Sequence, residues 1–195
     1  MKKIKNKLFF ILALLIAIVV TLSNYLVQFP VRYFNLENLL TYGAFTYPVS
    51  FLITDLSNRK YGKKVAQKIV YFGFLCGVLA TLYFSINDLD LISARIAFGS
   101  GIAFLVAQLI DINIFDKLRR KKWFIAPLTS SLIGSSIDTL LFFSIAFYGT
   151  GINWLTLSLG DLSVKILIAL IMLIPFRILL SYIQEISESK KKINV

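Results

Sequence analysis

Residues 94–122 read ARIAFGSGIAFLVAQLIDINIFDKLRRKK. The run from Ala94 to Phe115 is long enough to cross hydrocarbon as a helix, which takes about 20 mostly apolar residues. It ends in Lys117, Arg119, Arg120, Lys121 and Lys122. Short loops rich in Lys and Arg stay on the cytoplasmic side, so this segment enters from outside and stops inside.

The same pattern extends in both directions. Spans are expected at about 8–29, 39–56, 66–86, 94–115, 124–148 and 161–183. Basic residues precede the first span (Lys2, Lys3, Lys5, Lys7), follow the second (Arg59, Lys60, Lys63, Lys64, Lys68) and close the chain (Lys190, Lys191, Lys192). With the cluster after the fourth span they make 17 of the 21 Lys and Arg, all in alternate connections. The loops Asn87-Asp88-Leu89-Asp90 and Gly149 to Gly160 carry no basic residue and are read as outer. The expectation is an all-α integral membrane bundle, a single domain over 1–195, with six spans and both termini inside. The first run is too long for the apolar core of a signal peptide and is read as a retained helix.

Composition agrees with this placement. The chain is 57% hydrophobic with a mean hydropathy of +0.78, against about 45–50% apolar in soluble domains. A formal charge of +11 would point to nucleic acid in a soluble protein. Its confinement to one side points to lipid topology instead, with no nucleic-acid partner. The chain has one cysteine, Cys76, and no histidine. That excludes an intramolecular disulfide, a Cys/His metal cluster and His-assisted nucleophilic catalysis. No cofactor or metal is expected.

Charges inside hydrocarbon cost at least about 2.5–3.5 kcal/mol each on insertion scales, so each needs a compensating neighbour. Arg95 and Arg177 lie near helix ends, from which their heads reach the interface. Asp161 and Lys165 are four apart and suit a local helix pair. Asp138 and Asp111 lie deeper. Gln108 shares a face with Asp111, while Ser131, Ser135 and Asp138 fall at i, i+4 and i+7 on another helix. Small and hydroxylated residues alone serve helix packing; two buried carboxylates call for a polar cavity. Pro48 and Pro175 withdraw the donors that the carbonyls of Ala44 and Ile171 would accept, a device found at midplane transport sites. Phe51–Leu56 and Phe104–Leu109 form a short internal echo whose parallel direction excludes an inverted repeat.

Four ordered blocks carry a resemblance: LTYGAFTYPVSFLITDLSNRKYG (40–62), RIAFGSGIAFLVAQLIDINIFDKLR (95–119), APLTSSLIGSSIDTLLFFSIAF (126–147) and GDLSVKILIALIMLIPFR (160–177). Together they resemble the queuosine-precursor transporters, formerly grouped as vitamin uptake transporters. The resemblance implies import of 7-deazaguanine bases across a bacterial cytoplasmic membrane, for salvage of the modified tRNA nucleoside queuosine. A carboxylate at Asp138 or Asp111 suits the N1–H and amine donors of a guanine-like edge, and Asn58 or Gln108 suits its exocyclic oxygen. Tyr42 and Tyr47, with Phe45, Phe51, Phe142 and Phe143, are the stacking candidates. Ser135 and Lys165 complete the candidate substrate-binding set.

Two other readings compete. The chain could be the substrate-binding subunit of an energy-coupling-factor importer; it holds no GxxxxGK[ST] motif, so ATP use requires a partner chain. An intramembrane enzyme could use Asp111 and Asp138 as an aspartyl pair, but neither lies in a GxGD-like setting and their depths differ. The expectation is a carrier and not an enzyme, with a homo-oligomer left open.

Overall fold

The computed structural model of the chain describes residues 2–33, 36–37, 40–85 and 91–180. These form six α-helices: α1 (Lys2–Leu26), α2 (Gly43–Tyr61), α3 (Lys63–Ser85), α4 (Leu91–Leu118), α5 (Ile125–Phe147) and α6 (Trp154–Leu180). Among the described residues the only β-pairing is an isolated bridge between Pro30 and Thr41. The loop 87–90, the lysines at 190–192 and the expected end of the last span at Ile183 lie outside the described residues.

Four helices, α1, α4, α5 and α6, are long and apolar enough to cross a membrane by length and composition. Helices α2 and α3 fall outside that measure. For α2 the cause is visible in its packing: Ser50, Thr54, Asp55, Ser57 and Asn58 are all buried. It touches each of the other five helices. The polar helix is therefore the enclosed one, and its apolar neighbours screen it. The most extensive contacts beyond it are α4 with α5 and α1 with α3. Helix α6 shows the opposite pattern, leaving Leu155, Leu159, Leu167, Leu170, Ile174 and Ile178 exposed. Such a face suits lipid, which takes apolar side chains without cost.

Several helix ends differ from the sequence expectation. Helix α2 runs past Leu56 to Tyr61 because its last polar residues find partners within the bundle. Ser57 donates to the Ile53 carbonyl at 2.6 Å and the Asn58 amide to the Ile112 carbonyl at 3.0 Å. Helix α6 begins at Trp154, seven residues before the expected start at Asp161. The stretch 154–160 alternates apolar and polar residues, which disguises its helical character, and Asp161 is buried mid-helix rather than at a boundary. Gly62, at φ 85°, turns α2 into α3 in a conformation that side chains rarely adopt.

Close approach fixes α3 against α1. A Cβ placed on Gly73 would lie 2.6 Å from the Ala13 carbonyl oxygen, and one on Gly77 3.0 Å from Val20 side-chain atoms. Spaced four apart, these glycines let two backbones meet as small-xxx-small pairs do in membranes. Gly73→Leu is expected to lower the thermal stability of the purified protein by about 1–3 kcal/mol through overpacking. Gly101→Ala, where a Cβ meets only Phe74 at 3.6 Å, should be near neutral. Equal melting temperatures for the two variants would show that the α1–α3 approach is not sterically limiting.

Candidate functional site

Buried polar side chains gather in two places along the bundle. The first joins α5 to α6. Lys165 Nζ lies 2.8 Å from Asp138 Oδ2 and 2.6 Å from Asp161 Oδ2. It also donates to Thr139 Oγ1 at 3.1 Å, and Thr139 donates to Asp161 Oδ2 at 2.8 Å. An ammonium has three N–H donors, and three acceptors surround this one. All four residues are buried, Lys165 being only 2% exposed. One cation between two carboxylates leaves the group with one formal negative charge.

Tyr47 of α2 covers this group, its ring centroid 5.3 Å from Lys165 Nζ. The distance is that of a cation–π contact, which strengthens when water is excluded. The Tyr47 hydroxyl donates to Asn24 Oδ1 at 2.9 Å, and Ser100 donates to the same oxygen at 2.7 Å. Helices α1, α2 and α4 thus meet the ionic group through one tyrosine. Further along, Gln108 accepts from Thr54 at 2.6 Å and donates to Ser50 Oγ at 2.7 Å. Ser50 in turn donates to the Tyr47 carbonyl at 2.7 Å. A planar amide held by two hydroxyls has its orientation fixed.

The second group lies nearer the end of the bundle that carries the basic α2–α3 and α4–α5 connections. Asp55 of α2 and Asp111 of α4, both fully enclosed, sit against adjacent turns of α5, Asp55 at Ser130 and Asp111 at Gly134. Ser130 reaches Asp55 Oδ1 at 3.4 Å, while neither Asp111 oxygen has a hydrogen-bond partner. Beside them a narrow cleft between α2, α5 and α6 is lined by Pro48, Phe51, Asp55, Ser131, Ser135 and Phe176, among others. Ser135 Oγ is buried there without a partner. Gly134 permits this arrangement: a Cβ on it would lie 2.7 Å from the Phe51 ring and 3.4 Å from Asp111 Cβ.

The candidate residues therefore divide. Asp138, Lys165 and Tyr47 come together, with Gln108 linked through Ser50. Asp111 and Ser135 belong with Asp55 and the cleft. Asp111 Cβ lies beside Gly134 of α5, four positions and about 6 Å along the axis from Asp138 at 1.5 Å per residue, and Asp138 is bonded to Lys165, so Asp111 and Asp138 form no aspartyl pair. Asn58 clamps α2 to α4 with its amide and leaves Oδ1 unpartnered. Tyr42 sits at the start of α2, 36% exposed, outside both groups. Phe142 and Phe143 pack in an apolar cluster with Val27, Ala103 and Ala146. Arg95 donates to the Ile145 and Tyr148 carbonyls at the end of α5, and Arg177 lies 5.0 Å from the Trp123 ring.

Asp55 and Asn24 escaped the sequence reading. Asp55 fell at the expected end of a span, where a carboxylate meets headgroups. Its signal was the continuing run of side chains small or polar enough for a helix interior, through Ser57 and Asn58. Asn24 belongs to a helix that carries no other distinguishing residue.

Comparison with known proteins bears on these features. The family described as "Putative vitamin uptake transporter" matches residues 41–180, a range that includes both polar groups apart from Asn24. The chain is 33% identical to the queuosine precursor transporter of Escherichia coli K12, over 97% of this chain and 94% of that protein. It is 31% identical to the probable queuosine precursor transporter of Haemophilus influenzae, over 80% of this chain and 79% of that one. The corresponding Bacillus subtilis protein is 27% identical over 68% of each. No solved structure matches the chain. A multi-pass bacterial membrane protein with these relatives is a transporter and not an enzyme: the chain belongs to the queuosine precursor transporter family, earlier described as vitamin uptake transporters.

Proposed function

We propose that this protein imports 7-deazaguanine precursors of queuosine into the cytoplasm through a polar site halfway along the bundle. The observation that carries the reading is the Lys165–Asp138–Asp161 group, enclosed under Tyr47 in a chain whose relatives are named for this cargo. A guanine-like edge presents two adjacent donors, N1–H and the exocyclic amine, which one carboxylate accepts as a pair. Asp138 is that carboxylate. Lys165 releases it on binding and keeps Asp161, so the ammonium is never left bare. Gln108, held by Thr54 and Ser50, serves the exocyclic oxygen, and Tyr47 supplies the stacking face.

The narrow cleft between α2, α5 and α6 is the route toward the basic end, which is cytoplasmic in this reading. It opens by movement of α2 and α6 at Pro48 and Pro175, both inside their helices. Both termini and the connections near Lys63 and Arg120 then lie inside, and Asn153 outside.

The test is uptake of labelled 7-deazaguanine bases by cells that express this chain alone and can neither make nor import them. Accumulation of label, followed by queuosine in tRNA, is the expected result. Absence of uptake with the protein present in the membrane would sink the proposal. Uptake that appears only with an added ATPase pair would replace the carrier by a subunit of an energy-coupling-factor importer.

A further inference from the structure

The ionic group around Lys165 neutralises itself in part, but among the described residues no cation is paired with Asp55 or Asp111. Asp55 projects from α2 and Asp111 from α4, and the groups that face them are few. Helix α5 contributes the Ser130 hydroxyl, with Ser131 alongside, and among the described residues the charged neighbour of each aspartate is the other. From α6 the cleft wall adds Ala169, Met172, Leu173 and Phe176, none of them charged. The nearest guanidinium along α2, that of Arg59, is engaged with the Arg119 carbonyl.

Two further features mark a site rather than a packing accident. Both Asp111 oxygens are buried without hydrogen-bond partners. The Ser135 hydroxyl, also buried and without a partner, lines the same cleft as Asp55. A structural carboxylate in hydrocarbon is normally hydrogen-bonded or paired. Here three polar groups converge with capacity to spare, beside an opening.

We propose that Asp55 and Asp111 form a proton-binding site, emptied through the cleft, which couples cargo movement to the transmembrane proton gradient. Deepening the carrier reading, it assigns the driving ion to a second site one to two helical turns from the proposed cargo site along α5. With the carrier open to the outer face, a proton from that side forms an O–H bond on one carboxylate, and the other accepts its hydrogen bond. With one charge removed, α2 and α4 close over the pair. On the inner side the O–H bond breaks, the proton returns to water, and repulsion between two carboxylates favours reopening. One proton enters and one leaves per cycle, and no electron is transferred. Two adjacent carboxylates bind a proton by sharing it, without assembling the larger shell of oxygen ligands that a sodium ion takes.

Two measurements on the intact purified chain test this separately from cargo identity. Infrared spectroscopy at neutral pH should show the C=O stretch of a protonated carboxylic acid that shifts in heavy water and disappears in both Asp55→Asn and Asp111→Asn. The wild-type spectrum needs no variant to fold, and absence of the band would overturn the site whatever the cargo is. In proteoliposomes, an inward proton gradient should raise uptake of a labelled aminomethyl-substituted 7-deazaguanine several-fold over uptake without a gradient. In each variant that ratio should fall to about one, whatever the residual rate. A sodium gradient that stimulates uptake where a proton gradient does not, or an unchanged ratio in both variants, would overturn the coupling. A wild type that shows the band but takes up no deazaguanine would sink the cargo reading while supporting the proton site.

Discussion

Lys165→Met is expected to cost the protein about 3–5 kcal/mol of stability, the usual penalty for removing one partner of a buried ion pair. The size follows from what remains. Asp138 and Asp161 both point at Lys165 Nζ, at 2.8 and 2.6 Å, and methionine leaves two enclosed carboxylates facing each other with no cation. Total stabilities of about 5–15 kcal/mol make such a loss a large fraction of the whole. The purified variant should melt earlier, and less of it should accumulate in the membrane. From sequence alone the lysine looked like a local partner of Asp161 one turn away, with a modest effect on removal. The second bond, to Asp138 on another helix, raises that expectation. Combining Lys165→Met with Asp138→Leu and Asp161→Leu should recover most of the stability, because apolar residues of similar volume often replace a buried ionic cluster without loss. Transport should not return with it. A single Lys165→Met variant as stable as the parent would mean that packing, not charge, holds α5 to α6.

This case illustrates what the sequence could reveal. Helix number, the polar stripe ending in Asp138 and the Asp161–Lys165 pair follow from periodicities along a single helix, and these are local properties. Which helix lies at the centre is not local. Helix α2 looks least like a spanning segment by hydropathy, and its enclosure by five neighbours is a consequence of where those neighbours pack. For the same reason Asp55, next to the expected end of its span, drew no notice until the bundle enclosed it near Asp111. Asp111 and Asp138 called for one polar cavity because each lacked a local explanation. Their partners came instead from other helices, Asp55 for one and Lys165 for the other.

Within the proposed cargo site, Asp138→Asn should reduce uptake at limiting substrate by at least about tenfold while the protein still inserts and accumulates. The substitution preserves volume but turns one acceptor oxygen into an amide donor, which would face both the ligand's donors and the Lys165 ammonium. A hydrogen bond to a charged group contributes about 1.5–3 kcal/mol, and about 1.4 kcal/mol already corresponds to a factor of ten. Folding should suffer less than in Lys165→Met, because the lysine keeps Asp161 at 2.6 Å and the region passes from one excess negative charge to none. Uptake must therefore be normalised to protein in the membrane, and the two variants should separate: Lys165→Met chiefly in amount and stability, Asp138→Asn chiefly in rate per molecule. Full uptake by Asp138→Asn would remove this carboxylate from recognition and leave Asp111, whose oxygens are buried without hydrogen-bond partners, as the better candidate.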